Sequence, residues 1–306
     1  MSSFQVSFFG ATDIGRVRTN NEDTFIARFI WDDRHILLAA IDGMGGEEGG
    51  EIAAGIARES IIRYLSDFQD DTVLNLIKRA IADANNEIIR RKEAQPQYRR
   101  MGCVATAGII DLDGETLSIA HVGDSRLYRF SDGELSKLTH DHSLVGYQEE
   151  QGILTEEQAM KHPRRSVIER CLGSETHLAD DKSFIEAGVF PLIKGEKFLF
   201  CSDGLCDVLT SAQISGCLRA ESSPEDECHE LIARTNEAGG KDNITVVMAH
   251  VLEKEDSGDA GNDANNGEDG ECKKSVDSQN LLPDNSCSKR KCKWIYLIVT
   301  LFAVCI

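Results

Sequence analysis

Four aspartates, Asp42, Asp124, Asp203 and Asp242, each adjoin an apolar, β-leaning run, and three of them are followed at once by glycine or serine. The runs read His-Ile-Leu-Leu-Ala-Ala-Ile-Asp42-Gly43, Leu-Ser-Ile-Ala-His-Val-Gly-Asp124-Ser125 and Lys-Phe-Leu-Phe-Cys-Ser-Asp203-Gly204. The fourth is reversed, with Asp242-Asn243 opening Ile-Thr-Val-Val-Met-Ala-His-Val. Neighbouring antiparallel strands run in opposite directions, so three strands ending in Asp and one beginning with it can meet at one sheet edge. Carboxylates gathered there repel one another unless cations lie between them, and an all-oxygen donor set suits Mg²⁺ or Mn²⁺. These runs therefore predict an enzyme that uses hard divalent ions.

Periodicity extends the reading. Strands are predicted over 6–9, 24–30, 36–41, 104–110, 116–122, 126–130, 184–189, 197–201 and 244–251. Helical spacing covers 51–65 and 72–91, with shorter helices over 156–162, near 211–219, and over 224–236, where Ser223-Pro224 and two acids form a good helix start. Helices come in groups between strand runs rather than one per strand, which favours an α+β layered fold over a parallel doubly wound sheet. At 306 residues, 41% hydrophobic, the chain can bury one large core or two modest ones. A net charge of -19 argues against binding nucleic acid, whose phosphates require dense Lys and Arg. The ten cysteines show no zinc-type pairing, and the N-terminus shows no secretory pattern, which together fit a reducing cytoplasm.

Three organisational segments follow: 1–252 as a catalytic domain, 253–293 as a linker that is first acidic and then basic, and 294–306 as an apolar tail. The tail holds about 13 residues, roughly 20 Å as a helix against roughly 30 Å of hydrocarbon. Its basic flank and Trp294-x-Tyr296 match a membrane helix entering from the cytoplasm, giving contact with the inner membrane. A greasy tail docked on the domain explains the same residues.

An ordered set of motifs spans 4–252: Thr12-Asp13-Ile14-Gly15-Arg16-Val17-Arg18-Thr19-Asn20-Asn21-Glu22-Asp23, Asp42-Gly43-Met44-Gly45-Gly46, Met101-Gly102, Gly123-Asp124-Ser125-Arg126, Leu138-Thr139-His140-Asp141-His142-Ser143, Ser202-Asp203-Gly204 and Gly240-Lys241-Asp242-Asn243. Each alone is weak, but all seven in order make coincidence a poor explanation. The set resembles the metal-dependent type 2C (PPM) Ser/Thr protein phosphatases, bacterial branch. That resemblance implies a four-layer α/β/β/α sandwich with two central antiparallel sheets. It implies two Mg²⁺ or Mn²⁺ ions bridged by Asp42, one completed by Asp203 and Asp242, the other bound by the Gly43 carbonyl. Asp124 would help hold a third, weaker ion. Asp23 would position the attacking water from outside the ligand set, with Glu22 beside it, and Arg18 would clamp the phosphate. The implied reaction is hydrolysis of phosphoserine and phosphothreonine in proteins by water activated between the ions, reversing a Ser/Thr kinase. The implied partners are the phosphorylated substrates and that kinase or its targets.

The sequence departs from the family at several places. Many bacterial relatives carry His at Glu47 and Thr-Thr at Cys103-Val104, and eukaryotic relatives carry a proposed acid at Met44, so leaving-group protonation here falls to water near Asp124. His121, His140 and His142 read as structural. The segment 145–173 resembles the family's flap, with Arg164 and Arg165 as candidates to hold acidic or phosphorylated peptide. Among rival chemistries, cysteine phosphatases need a Cys-x5-Arg cradle, which the scattered cysteines read as lacking. The stretch Ile110-Asp111-Leu112-Asp113-Gly114-Glu115-Thr116 is close to a haloacid dehalogenase nucleophile loop, but Glu115 breaks the match and a hairpin turn at Asp113-Gly114 explains it. A catalytically weak module that binds phosphoproteins or a kinase at the membrane is the alternative reading, and a tethered scaffold is a third.

Overall fold

The computed structural model describes residues 4–45, 49–67 and 70–253. Glu47, the linker beyond 253 and the apolar tail lie outside the described residues, so the expectations placed on them are not addressed by the fold.

Ten strands form two antiparallel sheets of five. The first contains β1 (Phe4–Asp13), β6 (Arg126–Ser131), β7 (Glu134–Lys137), β9 (Lys197–Cys201) and β10 (Ile244–Glu253), in the order β1-β10-β9-β6-β7. The second contains β2 (Thr24–Phe29), β3 (His35–Met44), β4 (Gly102–Asp111), β5 (Thr116–Val122) and β8 (Glu186–Pro191), in sequence order. Helices α1 (Gly49–Asp67) and α2 (Val73–Ala94) cover one sheet, and α5 (Asp203–Cys206), α6 (Ser211–Leu218) and α7 (Pro224–Glu237) lie against the other. The architecture is the expected α/β/β/α sandwich.

Side-chain alternation explains the layering, because successive strand residues face opposite sides of a sheet. Along β3, Leu37, Ala39 and Ile41 join α1 and α2 in one core, while Ile36, Leu38 and Ala40 face the other sheet. In β9 and β10, Leu199, Cys201, Val246 and Met248 pack under α6 and α7, and Phe198, Phe200, Val247 and Ala249 fill the space between sheets. Strands buried on both faces read as continuous apolar runs, and these are the runs that flank the aspartates.

Two smaller helices, α3 (Leu144–Glu150) and α4 (Glu156–Met160), build the segment beside the cleft. Ser143 caps α3, and Thr155 with Gln158 forms a full capping box on α4. Buried Arg126 of β6 anchors this segment by gripping Asp141 through two nitrogens and Glu149 at 3.0 Å. Glu156 Oε1 accepts from both the backbone N and the hydroxyl of Ser211, each at 2.7 Å, tying α4 to the start of α6. The Asp111–Thr116 connection is a hairpin whose Asp113 and Gly114 amides both donate to Asp111 Oδ1 at 2.9 Å.

Candidate active site

The sequence-predicted acids converge where the two sheets meet. Asp42 lies inside β3, opposite Val104 of β4 and two residues short of the strand end, so it stands within a strand rather than closing one. On the sheet that lacks β3, Asp203 opens α5 one residue after β9, and Asp242 lies two residues before the start of β10. Asp124 sits on a three-residue crossover that takes the chain from β5 in one sheet to β6 in the other. Arg18, Glu22, Asp42, Gly43, Asp124, Asp203 and Asp242 all line one cleft of about 450 Å³, joined on the flap side by Ser166 and Ile168.

The local backbone is built for close approach. A Cβ on Gly43 would stand 2.2 Å from the Gly50 carbonyl and 2.5 Å from that of Glu22, so only glycine lets β3, α1 and the Glu22 loop meet here. Gly43 N in turn donates to Glu22 O at 3.2 Å. Asn243, which the sequence offered only as part of a motif, fastens the Arg18 loop. Its Nδ2 donates to Ile14 O at 3.0 Å and Asn20 O at 2.9 Å, and its Oδ1 accepts from Glu22 N at 2.8 Å. Three hydrogen bonds to residues more than two hundred positions away leave no local periodic signal.

Electrostatics follow from burial and crowding. Burial, then the carboxylates of Asp23, Asp203, Asp124 and Asp242, push Asp42 well above the usual carboxylate range. Asp124 is raised by burial and by Asp203, and Asp203 is raised by burial and by Asp242 although it hydrogen-bonds Asp42. Asp23 is buried beneath the cleft, and burial lifts it to about 7 against hydrogen bonds from Ser202 and Thr245. Its Oδ2 has no hydrogen-bond partner among the described residues. Arg18 Nη2 donates to Asp242 Oδ2 at 2.8 Å from a half-exposed position at the cleft mouth. An all-oxygen donor set, mutually raised acids and an orphaned buried carboxylate oxygen fit hard divalent cations, whose charge would relieve all three.

The flap arginines divide. Arg165 pairs with Asp207, while Arg164 is exposed. Cys228 and Arg234 do stand at the Cys-x5-Arg spacing, contrary to the sequence reading. Both lie on α7, and Cys228 is fully buried with its thiol pushed up to about 12, so no thiolate cradle exists there.

Residues 15–248 match the sequence profile described as Protein phosphatase 2C. The chain belongs to that family. A curated relative, Serine/threonine phosphatase stp of Listeria innocua, is 32% identical over 245 residues, covering 78% of this chain and 92% of the relative. Among solved structures, the Mycobacterium tuberculosis serine/threonine phosphatase PstP/Ppp superposes with a TM-score of 0.70 at 34% identity, covering 81% of this chain and 99% of that one. A structure of the PstP catalytic domain in complex with two manganese ions gives a TM-score of 0.70 at 31% identity over the same shares of the two chains.

Proposed function

We propose that this chain is a Mg²⁺- or Mn²⁺-dependent protein-serine/threonine phosphatase. The observation that carries the reading is the convergence of Asp42, Asp124, Asp203 and Asp242 from both sheets into one cleft that Arg18 borders. Asp42 would be shared by two ions, with Asp203 and Asp242 on one and the Gly43 carbonyl on the other, and Asp124 would serve a third, weaker site. Bound there, such ions lower the pKa of water and neutralise a phosphomonoester dianion.

The chain's own groups supply the rest. Arg18 presents a planar guanidinium able to hold two phosphoryl oxygens at once. Asp23 offers its unpartnered Oδ2 to orient a water and receive its proton, and Glu22 keeps further negative charge beside it. Met44 at the cleft wall supplies no acid, so the leaving serine or threonine alkoxide would take its proton from water near Asp124. Arg164, exposed on the flap, is the arginine of the Arg164-Arg165 pair left to meet an acidic or phosphorylated peptide.

The substrates are phosphorylated proteins, and the activity reverses a Ser/Thr kinase of the same cell, with the catalytic domain in the cytoplasm. The basic-then-apolar tail would hold the enzyme at the inner membrane. No helix among the described residues is long and apolar enough to cross a membrane. Fractionation of the full chain against one ending at Lys254 tests the tail, and equal solubility removes the anchor. For the reaction, Mn²⁺-dependent release of phosphate from a phosphothreonine peptide is expected. Asp42→Ala, Asp203→Ala and Asp242→Ala should each lower turnover about 10²-fold or more. Asp124→Ala should slow the reaction with the two main ions still bound. Near-normal activity in Asp203→Ala refutes the ligand assignment.

A further inference from the structure

Outside the aspartate cleft, His121, His142 and Glu186 bring one donor atom each within 4.8 Å of one another, which invites a second metal site. The hydrogen bonds oppose it. Gly123 N donates to His142 Nδ1 at 3.1 Å, and a backbone amide can only donate. Arg170 Nη1, also only a donor, lies farther off, 3.3 Å from Nε2. With the shorter amide contact satisfied, Nδ1 carries the lone pair, and Nε2 of the neutral ring carries the proton, accepts nothing from Arg170 and cannot ligate. His121 is likewise committed. Its Nε2 lies 3.0 Å from the His140 carbonyl, an acceptor, and its Nδ1 lies 2.8 Å from the Thr106 hydroxyl. Burial lowers His121 to about 4, which keeps its ring neutral.

The His142 bond ends on the crossover that carries Asp124, and His121 lies at the end of β5 that leads into it. His142 holds Gly123 twice, since its backbone N also donates to Gly123 O at 2.7 Å. Thr106 Oγ1 has one proton for two acceptors, Ser125 O at 3.0 Å and His121 Nδ1 at 2.8 Å, and it holds the crossover when it donates to Ser125 O. Glu186 supports the loop from behind, accepting from His140 N at 3.1 Å and Nδ1 at 2.9 Å, with His142 Nε2 at 3.6 Å. On the opposite side Gly123 presses on β4. Its φ is +115°, and a Cβ would stand 2.1 Å from Val104 Cγ1. Asp124 is repelled by Asp203, so a crossover of three residues needs such restraint to keep its carboxylate at the cleft.

We propose that His142, assisted by the Thr106 hydroxyl on Ser125 O, is a positioning residue that clamps the Gly123–Ser125 crossover and thereby fixes Asp124 for the weakest cation site. The role rests on the reading of Asp124 as a cation donor given above. The side-chain oxygen of asparagine stands where Nδ1 does and can accept from Gly123 N, whereas the longer glutamine amide cannot. In the full chain without metal, the Gly123 amide is expected to exchange slowly in the parent and in His142→Asn. In His142→Gln it should exchange about 10-fold faster or more. In calorimetric titration with Mn²⁺, His142→Gln should weaken the last site about 10-fold, with the tighter sites unchanged. At saturating Mn²⁺ it should lower kcat on a phosphothreonine peptide with KM held. Should His142→Gln fail to fold, Thr106→Val, which removes the hydroxyl that meets Ser125 O and His121, is expected to weaken the last site about threefold. Parent-like Gly123 exchange with parent-like Mn²⁺ binding in His142→Gln, or parent-like Mn²⁺ binding in Thr106→Val, overturns the clamp. A parent that binds Mn²⁺ at all its sites yet releases no phosphate sinks the phosphatase reading and leaves the clamp standing.

Discussion

Asp23 shows how burial turns an ordinary carboxyl into one that titrates near neutrality. Its pKa in the fold, about 7, lies above the ordinary 3.8, so folding favours the protonated form. The stabilisation is complete below the ordinary value and is lost as pH rises through about 7. Asp23→Asn removes this dependence, so the melting-temperature advantage of the variant over the parent, both without metal, should widen between about pH 4 and pH 8, by about 3 °C per kcal/mol. Calorimetric scans in chelator decide it, and a constant gap across that range contradicts the burial argument. Arg18→Lys keeps a positive charge near Asp242 but loses the planar fork. Its kcat/KM on a phosphopeptide should fall about 10-fold, and parent-like kinetics would deny the arginine its phosphate contact. The residues carrying charge were readable because each aspartate adjoins a strand run. Asn243, Ser202 and Thr245 were not, because their value lies in partners brought together only by folding.

Among the elements, the buried strands were found nearly in place because both faces are apolar. What escaped was short or half-wet. β7 is a four-residue edge strand whose residues are all partly or fully exposed, α5 is a single turn, and α3 has only Val145 and Gly146 buried. β8 begins at Glu186 rather than at 184, because Phe184 and Ile185 pack into the helix-side core ahead of it. The flap depends on a few polar ties, of which Glu156 to Ser211 is the most direct. Glu156→Ala should raise proteolysis within 151–168 several-fold, on the scale of about 1–2 kcal/mol of local stability, with the melting temperature of the domain held. Unaltered cleavage would show that Arg165 with Asp207 and Arg126 with Glu149 hold the segment alone.

For the molecule as a whole, three apolar cores separate four layers, and the middle one joins the sheets. Phe200→Ala in that middle core should lower stability by about 3–5 kcal/mol, read by urea unfolding. The same variant should require more Mn²⁺ for half-maximal activity, although Phe200 belongs to the core between the sheets and not to the cleft lining. An unshifted Mn²⁺ requirement would mean that the donor set tolerates movement between the sheets. The layer order was readable from strand runs and grouped helices, whereas the strand order β1-β10-β9-β6-β7, which splices the first described strand to the last, has no local signature. That splice has a practical outcome. Because the first and last described strands lie side by side over ten residue pairs, a nascent chain cannot complete this sheet until translation has passed Glu253. Synthesis of the domain and onset of activity are therefore coupled, and a ribosome stalled short of that point would hold an inert polypeptide.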